Sequence, residues 1–381
     1  MAINTGLSGN EIYCLHEKGM SPGELVIGNS VWAMGLVGAL SSGLKVIAGG
    51  EIEEVTQIIH DGRASALERM EAWTGLGGAI GITGVSSEIV FHGSNIEFLS
   101  IGSAVLRDGY NAPRIEFTSS SDGQELYCMM DAGFTPLHFA FGNVAYSIGL
   151  GGGIMGAFRG LARGEVKEYS EVFNTTRHLA LERITAEARH RGANCVMGIN
   201  TSIVPIMGMQ EMVMVGTSAR HPAYGESYDH MPATSDLTCE ETWNIMHAGY
   251  LPIRLVLGVS VYSIGFVGGL SVMFKSFVRG EIDEMTRLIY DARENALAHI
   301  QRDAAECGAD DVIGIKTYVY ELGGGLIEFM AIGTAVKKVE GLKLNSPQLP
   351  PQAVMRDKDT FLNMAEKLKG VDLNSRDSKK R

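Results

Sequence analysis

Hydrophobic and polar positions along this chain follow a pattern that predicts short strands and long amphipathic helices. The clearest stretch begins with an apolar strand, Ile253–Ile264, and a short apolar helix at Leu270–Val278. A long helix follows, because its apolar residues recur at spacings of three, four and seven and so share one face. These residues are Ile282, Met285, Ile289, Ala296 and Ile300. Two further strands, Val312–Tyr320 and Leu326–Val336, complete a small sheet with a helix packed against it.

This pattern occurs three times. The string VWAMGLVG returns as VAYSIGLG and again as VYSIGFVG. The glycines that precede the long helices are 114 and 116 residues apart (164 − 50 and 280 − 164); they are Gly50, Gly164 and Gly280. Solenoid repeats are roughly 20–50 residues long, so a period of this size is a whole domain present in three copies. We expect domains at 6–105, 118–220 and 234–338, and a polar mobile tail at 339–381.

Each copy is predicted to open with a short helix that ends at a glycine, as in Glu241–Gly249. The strand that follows carries an interior glycine, which often marks a bulge or a close approach of another backbone; these are Gly28, Gly142 and Gly258. The order of helix, strand, helix pair, strand and strand predicts the α+β class, with helices on one face of a small sheet. The tail carries one further predicted helix, Asp359–Leu368.

Composition and charge exclude several classes of protein. The net charge is −12, and no block of Lys and Arg precedes the tail, whereas nucleic-acid-binding proteins display a clustered basic face. Five cysteines without a CxxC pair indicate reduced thiols in the cytoplasm rather than a disulfide framework or a zinc site. The start of the chain lacks a signal-peptide pattern. Three charge-free apolar stretches are interpreted as buried strands followed by helices rather than membrane spans; they are Leu25–Leu44, Phe139–Phe158 and Leu255–Phe274.

Most titratable residues do not recur between the copies. None of the ten histidines has a counterpart in both other copies, and Cys14 and Cys128 correspond to Asn244 in the third. A metal site would need ligands at matched positions, so no metal, no cofactor and no catalytic residue is expected. Glutamates near the start of each long helix do recur, where they offset the positive end of the helix dipole. They are Glu51, Glu54, Glu165, Glu168, Glu281 and Glu284.

One arginine and one further glutamate recur in all three copies. The arginines lie in the middle of the long helices and the glutamates on the last strand; they are Arg63, Arg177, Arg293, Glu97, Glu211 and Glu328. Strand alternation places Glu328 in an otherwise apolar row, and a buried carboxylate needs a partner. We therefore predict structural or interface ion pairs, within a domain or across an interface, and expect Arg293 and Glu328 to interact. A ligand or proton role for the glutamates is the alternative.

Three short motifs resemble the family of YbjQ-like domains. They are the strand opening AGYLPIRLVLGVSVYSIG, the turn that enters the second strand, Gly308–Ile315, and the terminal Gly333–Val336. The second copy repeats the last two motifs at Gly192–Ile199 and Gly216–Ala219, and the first copy has degenerate forms. The resemblance implies a dodecin-like β-α-β-β fold that assembles into rings, typically pentamers, and a "heavy-metal-binding" label without established catalysis. Family members usually have one domain, whereas this chain has three.

The recurrence of glycines, aliphatic residues and one charge pair predicts a non-enzymatic protein that assembles with itself. Three fused ring-forming domains would build a large homo-oligomer or closed shell, with pentameric vertices and each chain as a pseudo-three-fold joint; an encapsulated cargo is unidentified. A six-domain ring of two chains, near 82 kDa from 2 × 41.0 kDa, is the competing form. The alternative function is an oligomeric small-ligand or metal-binding protein with sites at domain junctions. Neither nucleic acid nor a membrane is expected as a partner.

Overall fold

The computed structural model describes residues 3–33, 50–93, 95–147, 164–206, 209–263, 283–323 and 326–355. They form three repeated domains of mixed α and β structure. The first domain consists of α1 (Gly9–Glu17), β1 (Ser21–Ala33), β2 (Gly50–Glu51), α2 (Glu53–Leu76), β3 (Gly81–His92) and β4 (Asn95–Leu106). The short apolar helix predicted at Leu270–Val278, its counterparts, and the helix at Asp359–Leu368 lie outside the described residues.

The second and third domains repeat the opening helix, the long strand, the long helix and the two closing strands. The second consists of β5 (Phe117–Thr118), α3 (Gly123–Asp131), β6 (Thr135–Ser147), β7 (Gly164–Glu165), α4 (Lys167–His190), β8 (Cys195–Ile206) and β9 (Met209–Arg220). The third consists of α5 (Ser227–His230), β10 (Ala233–Thr234), α6 (Cys239–His247), β11 (Tyr250–Ser263), α7 (Asp283–Glu306), β12 (Asp311–Gly323) and β13 (Leu326–Lys338), and α8 (Pro351–Val354) follows it.

The three short opening helices begin and end on local signals that the sequence carries. Their first turns are capped by the side chains of Ser8, Asp122 and Thr238, which accept hydrogen bonds from backbone N–H groups three residues on. Each helix is followed by a glycine with positive φ, which a residue with a side chain rarely adopts; these are Gly19, Gly133 and Gly249.

Each domain has one antiparallel core of three long strands, with the last strand in the centre. The orders are β1-β4-β3, β6-β9-β8 and β11-β13-β12, and short strands from neighbouring segments extend them. The interior glycine of the first strand lets the domain's own long helix approach closely. A Cβ on Gly142 would lie 2.3 Å from the carbonyl oxygen of Ala180, and Gly28 and Gly258 meet their helices in the same way.

The long helices lie between successive sheets, so the layers alternate along the chain. Helix α2 packs on β1 of its own domain and on β6 of the next, and α4 packs on β6 and then on β11. Each domain's own long helix covers one face of its sheet, as expected from the sequence. The second and third sheets are covered on both faces, because the preceding domain supplies a second helix.

The three domains form an open series rather than a closed three-fold ring. A closed ring would bring α7 of the third domain onto β1 of the first. Instead, Arg293 on α7 and Leu25, Ile27 and Val31 on β1 are exposed. Within the described ranges, the chain thus ends with one free helix face and one free sheet face.

The expectation of a polar mobile tail is wrong for residues 339–355. Leu342, Leu344 and Leu349 pack on an apolar cluster between the domains, and Ala353 on α8 is buried. The side chain of Gln124 donates to the carbonyl oxygens of Gln352 and Met355. The short helix α8 packs on α1 and α3. No helix in the described part of the chain is both long enough and apolar enough to cross a membrane.

Candidate functional site: the junctions between domains

Backbone pairing joins each domain to the next. Strand β2 of the first domain pairs antiparallel with β6 of the second, and β7 of the second pairs with β11 of the third. The pairing continues into the helix start, where the N–H of Ile52 donates to the carbonyl oxygen of Ala145 at 2.8 Å and that of Val166 donates to Val261 at 2.8 Å. The two junctions therefore have the same backbone geometry.

This pairing corrects the interpretation of the recurring Gly-Glu step. Glu51 and Glu165 lie in strands β2 and β7 rather than in the first turns of the helices, where Glu54 and Glu168 are found. The carboxylate of Glu51 accepts a hydrogen bond from Arg183 of the second domain at 2.6 Å. The Gly-Glu step is thus a connection between domains as well as the approach to a helix.

A hydroxyl on each helix reinforces the backbone pairing, and sequence reasoning missed it. The Oγ1 of Thr56 accepts from the N–H of Ala145 at 2.9 Å, and the Oγ of Ser170 accepts from the N–H of Val261 at 2.8 Å. Both residues lie six positions after the helix-opening glycine. That shared position is the signal that could have identified them.

The recurring arginine and glutamate meet across the first junction. Arg63 on α2 forms a bidentate pair with Glu211 on β9, with Nε to Oε1 at 3.1 Å and Nη2 to Oε2 at 2.7 Å. Its Nη1 donates to the backbone and hydroxyl oxygens of Ser87 in its own domain. Both charged side chains are buried. Fixed, water-excluded pairs of this kind select one relative position of two elements.

The second junction repeats the pair with different surroundings. Arg177 on α4 binds Glu328 on β13 through Nη2 at 2.9 Å to both carboxylate oxygens and also donates to the hydroxyl of Tyr146. Burial raises the pKa of Glu328, and the adjacent guanidinium opposes that rise. Burial also raises the pKa of Tyr146 to about 12, so its hydroxyl stays protonated. Arg177 is fully buried and its charge is balanced only by Glu328 among these partners.

Arg293 and Glu97 are the remaining members of the recurring set, and they do not form an ion pair with each other. Glu328 binds Arg177, so the expected interaction of Arg293 with Glu328 is wrong. The exposed guanidinium of Arg293 lies 5.4 Å from the ring centroid of Phe329. Glu97 is partly exposed, accepts from Asn29 at 2.9 Å and lies 2.5 Å from His92. These hydrogen bonds lower the pKa of Glu97.

Apolar contacts complete both junctions in the same way. Phe139 and Phe141 on β6 pack into a groove of the first domain between α2 and β3. This groove is formed by Leu67, Met70, Ile82 and Val85. At the second junction, Leu255 and Leu257 on β11 pack with the corresponding residues of the second domain, which are Leu181, Ile184, Val196 and Ile199. A two-residue apolar ridge therefore enters a four-residue groove at each junction.

A buried aspartate joins all three domains and the segment after them. Asp131 accepts from Lys18 of the first domain at 2.7 Å and from the indole N–H of Trp243 of the third at 2.9 Å. The hydroxyl of Ser346 donates to it at 2.8 Å. Burial acts to raise the pKa of Asp131, but these hydrogen bonds outweigh burial and hold it below its usual range. Its counterparts in the other copies are not aspartates, so recurrence did not reveal it.

Comparisons with known proteins agree with the resemblance. A family model described as "Putative heavy-metal-binding" matches the chain over residues 19–107, 135–221 and 248–339. An encapsulin nanocompartment protein of Mycobacterium tuberculosis is 30% identical over 238 residues, which are 59% of this chain and 88% of that protein. A UPF0145 protein of Thermotoga maritima is 42% identical over 80 residues, 21% of this chain and 76% of that protein. A UPF0145 protein of Methanococcus maripaludis is 34% identical over 93 residues, which are 24% of this chain and 83% of that protein.

The described residues do not fit the metal that the family description implies. Across the described ranges, no group of three or more His, Cys, Asp or Glu side chains could hold an ion. Burial raises the pKa of Cys14 to about 12 and also raises that of Cys195, so these thiols stay protonated, whereas a metal ligand is a thiolate. The carboxylates of Glu211 and Glu328 are bound by arginines. We therefore derive no function through a metal.

Proposed function

The chain belongs to the family of YbjQ-like proteins, and on that premise we propose that it is a non-enzymatic protein that assembles with itself into a larger homo-oligomer or shell. One observation carries the proposal: the residues that recur between the copies form the contacts between domains. The buried pairs Arg63–Glu211 and Arg177–Glu328 are the clearest case. An active site would instead leave its charged groups open to a substrate.

The relative from Mycobacterium tuberculosis supports the same proposal. Its name describes a nanocompartment protein, and the alignment of 238 residues is longer than any one of the three family matches. The similarity therefore extends over more than one domain. We propose that this chain likewise builds an assembly, in the cytoplasm, and that a shell form would enclose a cargo. The five free cysteines fit a reducing compartment.

The repeated junction between domains restricts the number of domains that a ring can contain. Since one junction is repeated through three successive domains, a ring that continues it holds a multiple of three domains. Two chains then form a six-domain ring near 82 kDa, from 2 × 41.0 kDa. A cage with pentameric vertices is the competing form, and it would need chains whose domains belong to different rings. We retain the dodecin-like description of each domain as part of the proposal, because the long strands and the long helix of each domain follow one another in the order β-α-β-β.

Mass measurement of the purified full chain tests the proposal. Light scattering at several concentrations, with negative-stain images of the same sample, should show a particle larger than one chain. A mass near 82 kDa supports the two-chain ring, and a megadalton particle supports the cage. A monomer of 41.0 kDa at tens of micromolar would contradict self-assembly.

A further inference from the structure

Each junction joins an apolar groove and an arginine of one domain to an apolar ridge and a glutamate of the next. At opposite ends of the series of domains, the third domain has such a groove and the first domain has such a ridge, and the two do not meet within the chain. The third domain has its own groove between α7 and β12, at the positions that receive the ridge in the first two domains. We call it the α7 groove; it is formed by Leu297, Ile300, Val312 and Ile315 and lines a cavity of about 500 Å³. Ile315 is 45% exposed, whereas its counterparts Val85 and Ile199 are 3% exposed. The α7 groove therefore lacks the ridge that covers it elsewhere.

The first domain has an uncovered ridge. Leu25 and Ile27 on β1 correspond to Phe139 and Phe141 on β6, since both pairs precede the interior strand glycine by the same distances. Ile27 is 54% exposed and Phe141 only 2%. Glu97 shares the outward face of this sheet because it is the register partner of Val31. We call Leu25, Ile27, Val31 and Glu97 the β1 face.

The charges at these two ends are complementary. Arg293 stands beside the α7 groove at the position that Arg63 and Arg177 occupy in the other two helices. Glu97 stands on the β1 face at the position of Glu211 and Glu328, the carboxylates that bind those arginines. Thus the α7 groove has the apolar pocket and cation of a junction, and the β1 face has its ridge and anion.

We infer that a second copy of this chain places its β1 face in the α7 groove, so that Arg293 of one copy binds Glu97 of the other. This contact deepens the proposed function and rests on it, since it identifies the surfaces through which chains assemble. It continues a junction that the chain already makes twice internally. The contact is head-to-tail, and such contacts generate closed rings or open filaments. Two chains that each contribute one α7 groove and one β1 face can close a ring with two identical new junctions.

Charge reversal in the full chain tests this contact. Arg293→Glu and Glu97→Arg should each weaken association at least about 30-fold, because each places like charges together in a desolvated contact. Arg293 is exposed and Glu97 is partly exposed within the single chain, so the reversed variants should keep its fold. A 1:1 mixture of the two variants should recover the wild-type mass by native mass spectrometry. In a mixed pair, the new glutamate at position 293 of one variant meets the new arginine at position 97 of the other. The unchanged Arg293 and Glu97 meet at the second contact.

Arg287→Glu is the matched control. Arg287 is exposed on the same helix, and its counterparts Gln57 and Glu171 stay exposed beside junctions that are already formed. This variant should assemble like the wild type. Ile27→Asp gives an independent variant of the ridge and should also weaken association.

The possible results separate this contact from self-assembly as such. If the wild type is a monomer, the proposed function fails and the contact fails with it. If the wild type assembles and the reversed variants assemble equally well, self-assembly stands and this contact is overturned. Weakening by one variant without recovery in the mixture also overturns it, since the surface then binds another protein or another segment of the chain.

Discussion

Replacing Glu328 with glutamine should open the junction between the second and third domains. Glutamine keeps the size of the side chain but removes the charge that balances Arg177, and both side chains are fully buried. Removing one partner of a buried ion pair costs about 3–5 kcal/mol, since the other charge is left uncompensated. Glutamine still accepts one hydrogen bond from the guanidinium, so we expect about 3 kcal/mol. This corresponds to roughly two orders of magnitude in the opening equilibrium.

Hydrogen exchange of the full chain is the suitable assay. Denaturant unfolding of three domains need not be two-state, whereas exchange reports the opening of individual segments. Peptides from β7, β11 and β13 should exchange roughly 100-fold faster in Glu328→Gln. Peptides from β1 and β3 in the first domain should be unchanged.

An exposed pair with the same hydrogen-bond distance provides the control. Arg220 and Asp229 also lie 2.9 Å apart, but their side chains are 48% and 42% exposed. Asp229→Asn should cost only about 0.2–1 kcal/mol, because water screens the pair. If Glu328→Gln accelerates exchange no more than Asp229→Asn does, burial of the pair does not hold the junction, and the reasoning is refuted.

Three further predictions concern packing, protonation and the C-terminal segment. Gly142→Ala should cost at least about 1–3 kcal/mol in thermal melts, because its Cβ would press α4 away from β6, while Gly225→Ala, which has free space, should be neutral. Burial lowers the pKa of His178, but its hydrogen bond with Asp303 outweighs this and raises the pKa above the ordinary value. The stability from this pair is therefore complete below about pH 6.5 and is lost as pH rises through the raised pKa, and Asp303→Asn should flatten that dependence in melts from pH 5 to 9. A chain that ends at Val339 should melt at a lower temperature than one that ends just after α8, because it exposes the apolar cluster that Leu342, Leu344 and Leu349 cover.

The three-domain organisation and its elements could be read from the sequence. The repeats, 114 and 116 residues apart, indicate the number of domains. Local signals indicate the elements, since the helical spacing of Ile289, Ala296 and Ile300, the capping residues and the glycines depend on residues close together in the chain. The family resemblance carried by short packing motifs is confirmed by the family model. Strand alternation also indicated that Glu328 lies in a buried row and needs an arginine.

The tertiary structure alone decided which arginine binds Glu328. Because every copy carries the same arginine and glutamate, spacing cannot distinguish a partner in the same domain from one in the domain before. The layering of each helix between two sheets makes the choice, and it brings Glu328 to Arg177, 151 positions away. The same layering left Arg293 and Glu97 at the open ends. Asp131, which does not recur, gathers Lys18, Trp243 and Ser346 only after the three domains have packed. Patterns within a copy thus determined what each domain is, whereas contacts between distant residues determined how the domains meet.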